Sequence, residues 1–245
     1  MIELLENERI DDLEYKGLKI IQNKDGFCFG IDSILLVDFA KEIKKKSKII
    51  DLGTGTGIIS ILISAKIELS KIIGIEIQKE VCEMARRSVK LNHLEEKIEI
   101  INDNITKIQN KIDMGTFDAV ITNPPYKKAG TGLINQNERK LISRHEITAS
   151  LEDFINTSVK ALKDNGDLYM VHRPNRLADI IETLRKYKLE PKRIKFVHPS
   201  QAKEANLILI KATKNAKPFL KIEPPLYVYN ENGEYTEEII KIYGK

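Results

Sequence analysis

Short runs of β-branched residues alternate along this chain with segments whose apolar positions recur at helical spacing. Lys48–Leu52, Lys71–Ile77, Lys97–Asn102 and Phe117–Thr122 read as strands with apolar residues on both faces, and Ile58–Lys66 and Glu80–Leu91 read as helices between them. The alternation resumes with a helix over Leu151–Leu162 that ends near Gly166, and a strand over Asp167–His172. A helix over Arg176–Tyr187 behind Pro174 and strands over Arg193–His198 and Asn206–Ala212 complete it. Doubly apolar strands separated by helix-length segments predict an α/β fold with a mostly parallel sheet covered on both sides. In such sheets chemistry gathers at the strand C-termini, which selects the loop after Leu52, Glu76, Asp103, the turn after Thr122, and His172-Arg173.

The ends of the chain differ in kind. Leu18–Gln22 and Phe27–Phe29 flank Asn23-Lys24-Asp25-Gly26, which reads as a hairpin turned by Asp-Gly. Asp32 or Ser33 then caps a helix carrying Ile34, Leu35, Leu36, Val37, Phe39, Ala40 and Ile43, closed by Lys44-Lys45-Lys46 where cations suit the helix dipole. Residues 1–47 are therefore expected to form an extension packed on a core of residues 48–217, with a C-terminal appendage over 218–245, all in a single domain. One long connection, Lys127 to Glu146, has the length of a lid or binding loop and carries Lys127, Lys128, Arg139, Lys140 and Arg144.

Composition narrows the class. At 42% hydrophobic and 31% charged residues over 245 positions, the chain has an ordinary soluble balance. No apolar run approaches the roughly 18 residues of a membrane span. Glu3, Glu6 and Glu8 stand where a signal peptide would be basic and then apolar, so a cytoplasmic protein is expected. Cys28 and Cys82 fit no zinc or disulfide spacing and are expected to be free thiols. His93, His145, His172 and His198 show no ligand spacing either, so no metal is expected. The net charge of +4 hides an uneven distribution: residues 1–15 hold six acids and one base, whereas Arg185–Lys221 holds eleven Lys or Arg against two acids. That surplus suits a polyanionic partner.

Two motifs carry the chemistry. Asp51-Leu52-Gly53-Thr54-Gly55-Thr56-Gly57 ends the first sheet strand and opens a helix, where glycines let the backbone approach a ligand. Its third glycine comes one position too early for the dinucleotide fingerprint, and no Gly-Lys-Ser/Thr makes a P-loop. What remains is a cofactor with little charge near the turn and a polar group for Asp51, with Glu76 placed for ribose hydroxyls and Asp103 for an adenine amino group. The second motif, Asn123-Pro124-Pro125-Tyr126, follows the fourth strand. Two prolines cannot continue a ladder, so the tetrapeptide is a stiff turn that offers carbonyls, one amide and one aromatic face. An aromatic amine or carboxamide nitrogen is a poor nucleophile because its lone pair is delocalised. The Asn123 side-chain oxygen and Pro124 carbonyl can accept its two N–H groups while Tyr126 stacks on the ring, which positions the nitrogen without a strong base. No Gly-x-Ser-x-Gly elbow offers a nucleophilic alternative.

From about Lys48 to Ala212 the chain resembles the class I S-adenosylmethionine-dependent methyltransferases, and its Asn-Pro-Pro-Tyr turn resembles the branch that methylates planar nitrogen. The resemblance implies a Rossmann-like, seven-stranded, mostly parallel sheet with helices on both faces and an antiparallel last strand. It implies that Asp51, Gly53 and Gly55 hold the methionine part of S-adenosyl-L-methionine, Glu76 the ribose, and Asp103 with Asn104 the adenine edge. The catalytic turn would be Asn123, Pro124, Pro125 and Tyr126, with Asn123 also bordering the cofactor.

Adenine, guanine, cytosine and the glutamine carboxamide all present such a nitrogen, and the motif does not choose among them. Release-factor glutamine methyltransferases carry a helical recognition domain in front, where this chain has a hairpin and helix. Guanine-directed RNA enzymes tend to have Phe at the position of Tyr126. A non-catalytic cofactor-binding partner subunit is the reading from another class. Phe29-Gly30-Ile31-Asp32, Arg173-Pro174 with Lys192-Arg193, Glu204-Ala205-Asn206, and Pro224-Pro225-Leu226-Tyr227-Val228-Tyr229 resemble the bacterial tRNA adenine N6-methyltransferases acting 3′ of the valine anticodon. That family commonly has Thr where Ile31 stands. The resemblance implies that Gly30 and Asp32 cover the methionine end of the cofactor. It also implies a tRNA partner held by Lys127, Lys128, Arg139, Arg144, Arg173, Lys192 and Arg193. A monomer is expected.

Overall fold

The computed structural model describes residues 3–24, 30–126 and 149–244. Its centre is a nine-stranded sheet. β3 (Lys48–Leu52), β4 (Lys71–Glu76), β5 (Ile98–Asn102), β6 (Phe117–Thr122), β7 (Leu162–His172), β8 (Leu189–His198) and β9 (Leu207–Lys214) lie in the order β5-β4-β3-β6-β7-β9-β8. β9 runs antiparallel to both neighbours and the other pairs among these seven are parallel. Two-residue strands β10 (Lys221–Ile222) and β11 (Leu226–Tyr227) add to the outer edge of β8 in parallel, which accounts for the two strands beyond the expected seven.

Alternation along each strand feeds two cores. Ile49, Ile72, Ile121, Tyr169 and Leu209 face α1 (Ile31–Phe39), α2 (Ile58–Lys66) and α3 (Lys79–Leu91). Ile50, Ile73, Val120, Met170 and Ile210 face α4 (Leu151–Ala161) and α5 (Leu177–Lys186). α4 starts with a reciprocal cap in which Asp153 N–H donates to Ser150 Oγ and Ser150 N–H donates to Asp153 Oδ2. A last short helix, α6 (Glu237–Ile242), buries Ile239 and Ile242 in the core that α1 shares.

Several expectations change in detail: α1 ends at Phe39, before Ile43 and the Lys44-Lys45-Lys46 run expected to close it, and β8 starts at Leu189 rather than Arg193. β2 (Lys19–Asn23) does form a hairpin arm, but its partner is β1 (Glu8–Asp12), in the acidic start of the chain. Phe27–Phe29, the expected partner, lies outside the described residues. The outer side of β2 is satisfied by α3: Ile21 N–H donates to Ser88 Oγ at 3.0 Å and Lys19 N–H to Asn92 Oδ1 at 2.9 Å. α1 begins after Gly30 with no side-chain cap, so neither Asp32 nor Ser33 is spent on that task. β7 starts at Leu162, five residues early, because Phe117 pairs with Leu162 and Ala119 with Asp167, and the surplus residues bulge through Asn165 in the left-handed region.

Candidate active site

The C-terminal ends of β3, β4, β5, β6 and β7 bring the two motifs together. Gly53 and Gly55 hold φ of +73° and +57°, which ordinary side chains rarely adopt, and a Cβ on Gly55 would meet nothing within 4 Å. The loop is tied to the neighbouring strand through Gly53 and Thr54 N–H groups, both donating to the Ile75 carbonyl at 2.9 Å. Asp51 is fully buried. Its Oδ2 accepts from Thr54 Oγ1 at 2.6 Å and Ser60 Oγ at 2.9 Å, while its Oδ1 has no partner among the described residues. Burial, opposed by the two hydroxyls and assisted by the charge of Glu76, pushes the Asp51 carboxyl up to about 6.

Glu76 is buried and accepts from Gly55 N–H at 3.1 Å and Gln78 N–H at 2.9 Å, one per carboxylate oxygen, which leaves further lone pairs for hydroxyl donors. Asp103 pairs with Lys111 at 2.9 Å, and the hydrogen bond from that ammonium holds its carboxyl below the usual range. Asn104 donates its N–H to Asp103, and its side-chain oxygen accepts from Thr106 N–H and Oγ1. The Asn104 oxygen is therefore engaged in its own turn.

The proline turn stands beside this loop. Thr122 Oγ1 donates to the Leu52 carbonyl at 2.8 Å, joining the last residue of β6 to the last residue of β3. Pro124 is buried, and Asn123 and Tyr126 are half-buried. Both reach Asp32 in the first turn of α1: Tyr126 Oη donates to Asp32 Oδ2 at 2.7 Å, and Asn123 Nδ2 donates to the same oxygen at 3.4 Å. Burial first, and then the Asp32 charge, raises the Tyr126 hydroxyl above its ordinary value, so it stays a donor and is no base. Its ring meets the His172 imidazole edge-on at 5.2 Å and carries the Arg173 guanidinium 4.8 Å from its centroid. His172 is buried, accepts from Arg173 N–H through Nδ1 at 2.8 Å, and leaves Nε2 without a partner among the described residues. Burial, then the charge of Arg176, lowers its pKa to about 4, so the ring is neutral at pH 7.

The structure thus gathers Gly30, Asp32, Asp51, Gly53, Gly55, Glu76, Asp103, Asn104, Asn123, Pro124, Pro125, Tyr126 and Arg173 at one end of the sheet. Lys192 and Arg193 stand apart. Lys192 donates to the Lys217 carbonyl at 3.0 Å, and Arg193 pairs with Glu42 and Glu223 while lying 4.1 Å over the Phe39 ring. Much of the basic surplus is neutralised in the same way: Arg185 by Glu190, Lys186 by Glu152, Lys195 by Glu238, and Lys211 by Glu42 and Asp167. Lys127, Lys128, Arg139 and Arg144 fall outside the described residues, as does Cys28; Cys82 is a buried free thiol. No described helix is long and apolar enough to cross a membrane. The contacts of Asp32 with the turn escape sequence reasoning because 91 and 94 residues separate the partners.

The orphaned oxygen of Asp51, the open space at Gly55 and the unspent lone pairs of Glu76 fit S-adenosyl-L-methionine, and fold and site together define a class I methyltransferase that uses it. The methyltransferase small domain family matches residues 29–196. The chain belongs to that family. It is 26% identical over 242 residues to a protein of Porphyromonas gingivalis named tRNA1(Val) (adenine(37)-N6)-methyltransferase, covering 95% of this chain and 93% of that one. A protein of the same name from Parabacteroides distasonis is 25% identical over 94% of each chain. Among solved structures, a protein from Agrobacterium tumefaciens described as a predicted O-methyltransferase superposes with a TM-score of 0.71 at 22% identity, covering 87% of this chain and 95% of that one. The M. jannaschii tRNA m1G37 methyltransferase follows with 0.60 at 17% identity, covering 86% of this chain and 55% of that one. These two share the fold.

Proposed function

We propose that the protein transfers the methyl group of S-adenosyl-L-methionine to the exocyclic 6-amino group of a tRNA adenine, the one 3′ of the anticodon in valine tRNA. The observation that carries this reading is the Asn123-Pro124-Pro125-Tyr126 turn joined to the glycine loop through Thr122 and Leu52, a grip for a planar amine beside a methyl-donor site. The near full-length relatives named for adenine 37 favour adenine among the planar amines. Asp51, Gly53 and Gly55 would hold the methionine part of the cofactor, Glu76 the ribose, and Asp103 with Asn104 the adenine edge. The bound cofactor supplies an electrophilic methyl group. The Asn123 oxygen and Pro124 carbonyl accept the two N–H groups of the target amine and stabilise the positive charge that develops on its nitrogen as the N–C bond forms and the S–C bond breaks. The surplus proton of the methylated nitrogen then passes to solvent. Tyr126 orients the base by stacking. An anticodon-loop adenine suits such a pocket, because an unpaired base is flipped at lower cost than one in a duplex.

Digestion of total tRNA from cells with and without the gene, followed by mass spectrometry, tests the reading. Loss of N6-methyladenosine from valine tRNA on deletion, restored by the purified enzyme, supports it. Unchanged tRNA with a change in methylated glutamine would overturn it.

A further inference from the structure

We propose that Asp32 is a positioning residue for the amine grip, and that its carboxylate sets the orientation of Asn123 and Tyr126 rather than holding the methyl donor. The inference rests on the reading that the proline turn grips an amine. Both side chains donate to one oxygen, Oδ2. A carboxylate only accepts, so the Asn123 amide must turn its nitrogen toward Asp32, and its oxygen then points the other way. That oxygen is the atom an incoming amine needs. Without Asp32 the two amide orientations, related by a half-turn, have no strong reason to differ, and the wrong one opposes an NH2 group to the substrate's own N–H donors. The same carboxylate pins the Tyr126 hydroxyl, so the plane of the stacking ring and the direction of the accepting amide are set from one point on α1.

The backbone before Asp32 is shaped to leave its carboxylate room. A Cβ on Gly30 would stand 2.5 Å from Asp32 Oδ1, closer than real Cβ contacts come, so any other residue there makes the carboxylate shift. Gly30→Ala therefore displaces the carboxylate without removing it, which offers a second way to break the same arrangement.

The test measures S-adenosylhomocysteine affinity by calorimetry, and kcat and KM with the amine substrate that the wild-type enzyme methylates, starting from unmodified tRNA transcripts. Asp32→Asn and Gly30→Ala should each lower kcat about 10- to 100-fold while the S-adenosylhomocysteine Kd changes less than about threefold. In an Asn123→Ala background, Asp32→Asn should cost no more than about twofold under single-turnover conditions, because the accepting amide it orients is gone and the Tyr126 ring is still packed against His172 and Arg173. A Kd that rises in step with the loss of kcat would return Asp32 to the cofactor site, and equal losses in both backgrounds would show that it does not act through Asn123. If Asp32→Asn fails to fold, Gly30→Ala and its Asn123→Ala double carry the same comparison. Should the wild type methylate an amine other than tRNA adenine, the substrate proposal fails, and the Asp32 comparison is still read on that amine.

Discussion

The hydroxyl of Thr122 donates to the carbonyl of Leu52 at 2.8 Å, inside a part of the sheet where Thr122 is almost wholly buried. Each residue is the last of its strand; Thr122 is followed at once by the proline turn, and Leu52 by the glycines of the other motif. The bond therefore holds the proline turn at a set distance from the glycine loop. Thr122→Val keeps the shape and removes the donor, at a stability cost of about 1 kcal/mol. The larger effect should fall on kcat, reduced about three- to tenfold with the S-adenosylhomocysteine Kd unchanged, because small misplacements of reacting groups are expensive. Thr122→Ser should restore most of the rate. Equal kcat for Thr122→Val and wild type would show that the two motifs hold their spacing without this bond.

Asp51 carries a second prediction, with a sign that runs against intuition. Its folded pKa of about 6 lies above the unfolded value, so its favourable contribution is complete only below about pH 4 and is lost as pH rises through about 6. At pH 7.5 the buried carboxylate destabilises the free protein, on the order of 2–3 kcal/mol. Asp51→Asn should thus raise Tm by several degrees at pH 7.5 and leave it nearly unchanged at pH 4, as read by thermal scans. S-adenosylhomocysteine affinity should move oppositely, weakening about tenfold or more in the variant and, in wild type, as pH falls through about 6. A variant that is less stable at pH 7.5 would mean that Asp51 is a structural anchor.

Much of this was legible in the residues themselves. Strands such as Lys71–Glu76 announce themselves because buried parallel strands are apolar on both faces, and both motifs punctuate strand ends with glycine or proline. β1 was not legible: Glu8-Arg9-Ile10-Asp11-Asp12 has a single apolar residue, itself exposed, and the strand is held by pairing to β2 and by Glu8 against Arg87. The start of β7 was hidden for a related reason, since Asp164-Asn165-Gly166 has turn composition and does bulge. How the basic stretch is paired was not legible either, because charge counts cannot show that Glu42, Glu152, Glu223 and Glu238 arrive from elsewhere to meet it.

The Glu8–Arg87 pair adds to the backbone bonds that fasten the hairpin to α3, and it should be visible in a stability profile. The Arg87 hydrogen bond holds the Glu8 carboxyl below its usual range despite burial. Stability from this pair is therefore present above the ordinary glutamate pKa and is lost as pH falls through the lower folded value. Glu8→Gln should lower stability by about 1–3 kcal/mol at pH 7, less than a fully enclosed pair because Arg87 keeps 24% of its side chain exposed. Denaturant midpoints should converge with wild type toward pH 3. A constant difference across that range would assign the loss to packing rather than charge.

Arg173 and Arg193, both assigned to RNA by sequence, should separate cleanly. Arg173 stands at the site over Tyr126, whereas Arg193 is engaged with Glu42, Glu223 and Phe39. Arg173→Gln should weaken tRNA binding and make the slope of log affinity against log salt shallower by about 0.7. Arg193→Gln should lower Tm and leave that slope unchanged. The same slope change for both variants in filter-binding titrations would place Arg193 on the RNA after all.

The turn itself yields the sharpest separation of binding from chemistry. On the proposed reading Asn123 contributes an acceptor to the amine, while its side chain is hydrogen-bonded to Asp32 and to the Tyr126 hydroxyl. Asn123→Ala should keep S-adenosylhomocysteine affinity within a few-fold and lower methyl transfer by about 10²- to 10³-fold, the loss of one charge-stabilising group in a preorganised site. Tyr126→Phe removes the bond to Asp32 and keeps the ring between His172 and Arg173, so it should retain most of kcat. Tyr126→Ala removes the stacking surface and should lower both kcat and tRNA affinity, since stacking on an aromatic side chain contributes about 1–3 kcal/mol per base. Parallel calorimetry and turnover on the three variants read this ordering. Should Asn123→Ala lose cofactor binding and turnover to the same extent, the turn would be a structural support of the cofactor loop and the amine grip would have to lie elsewhere.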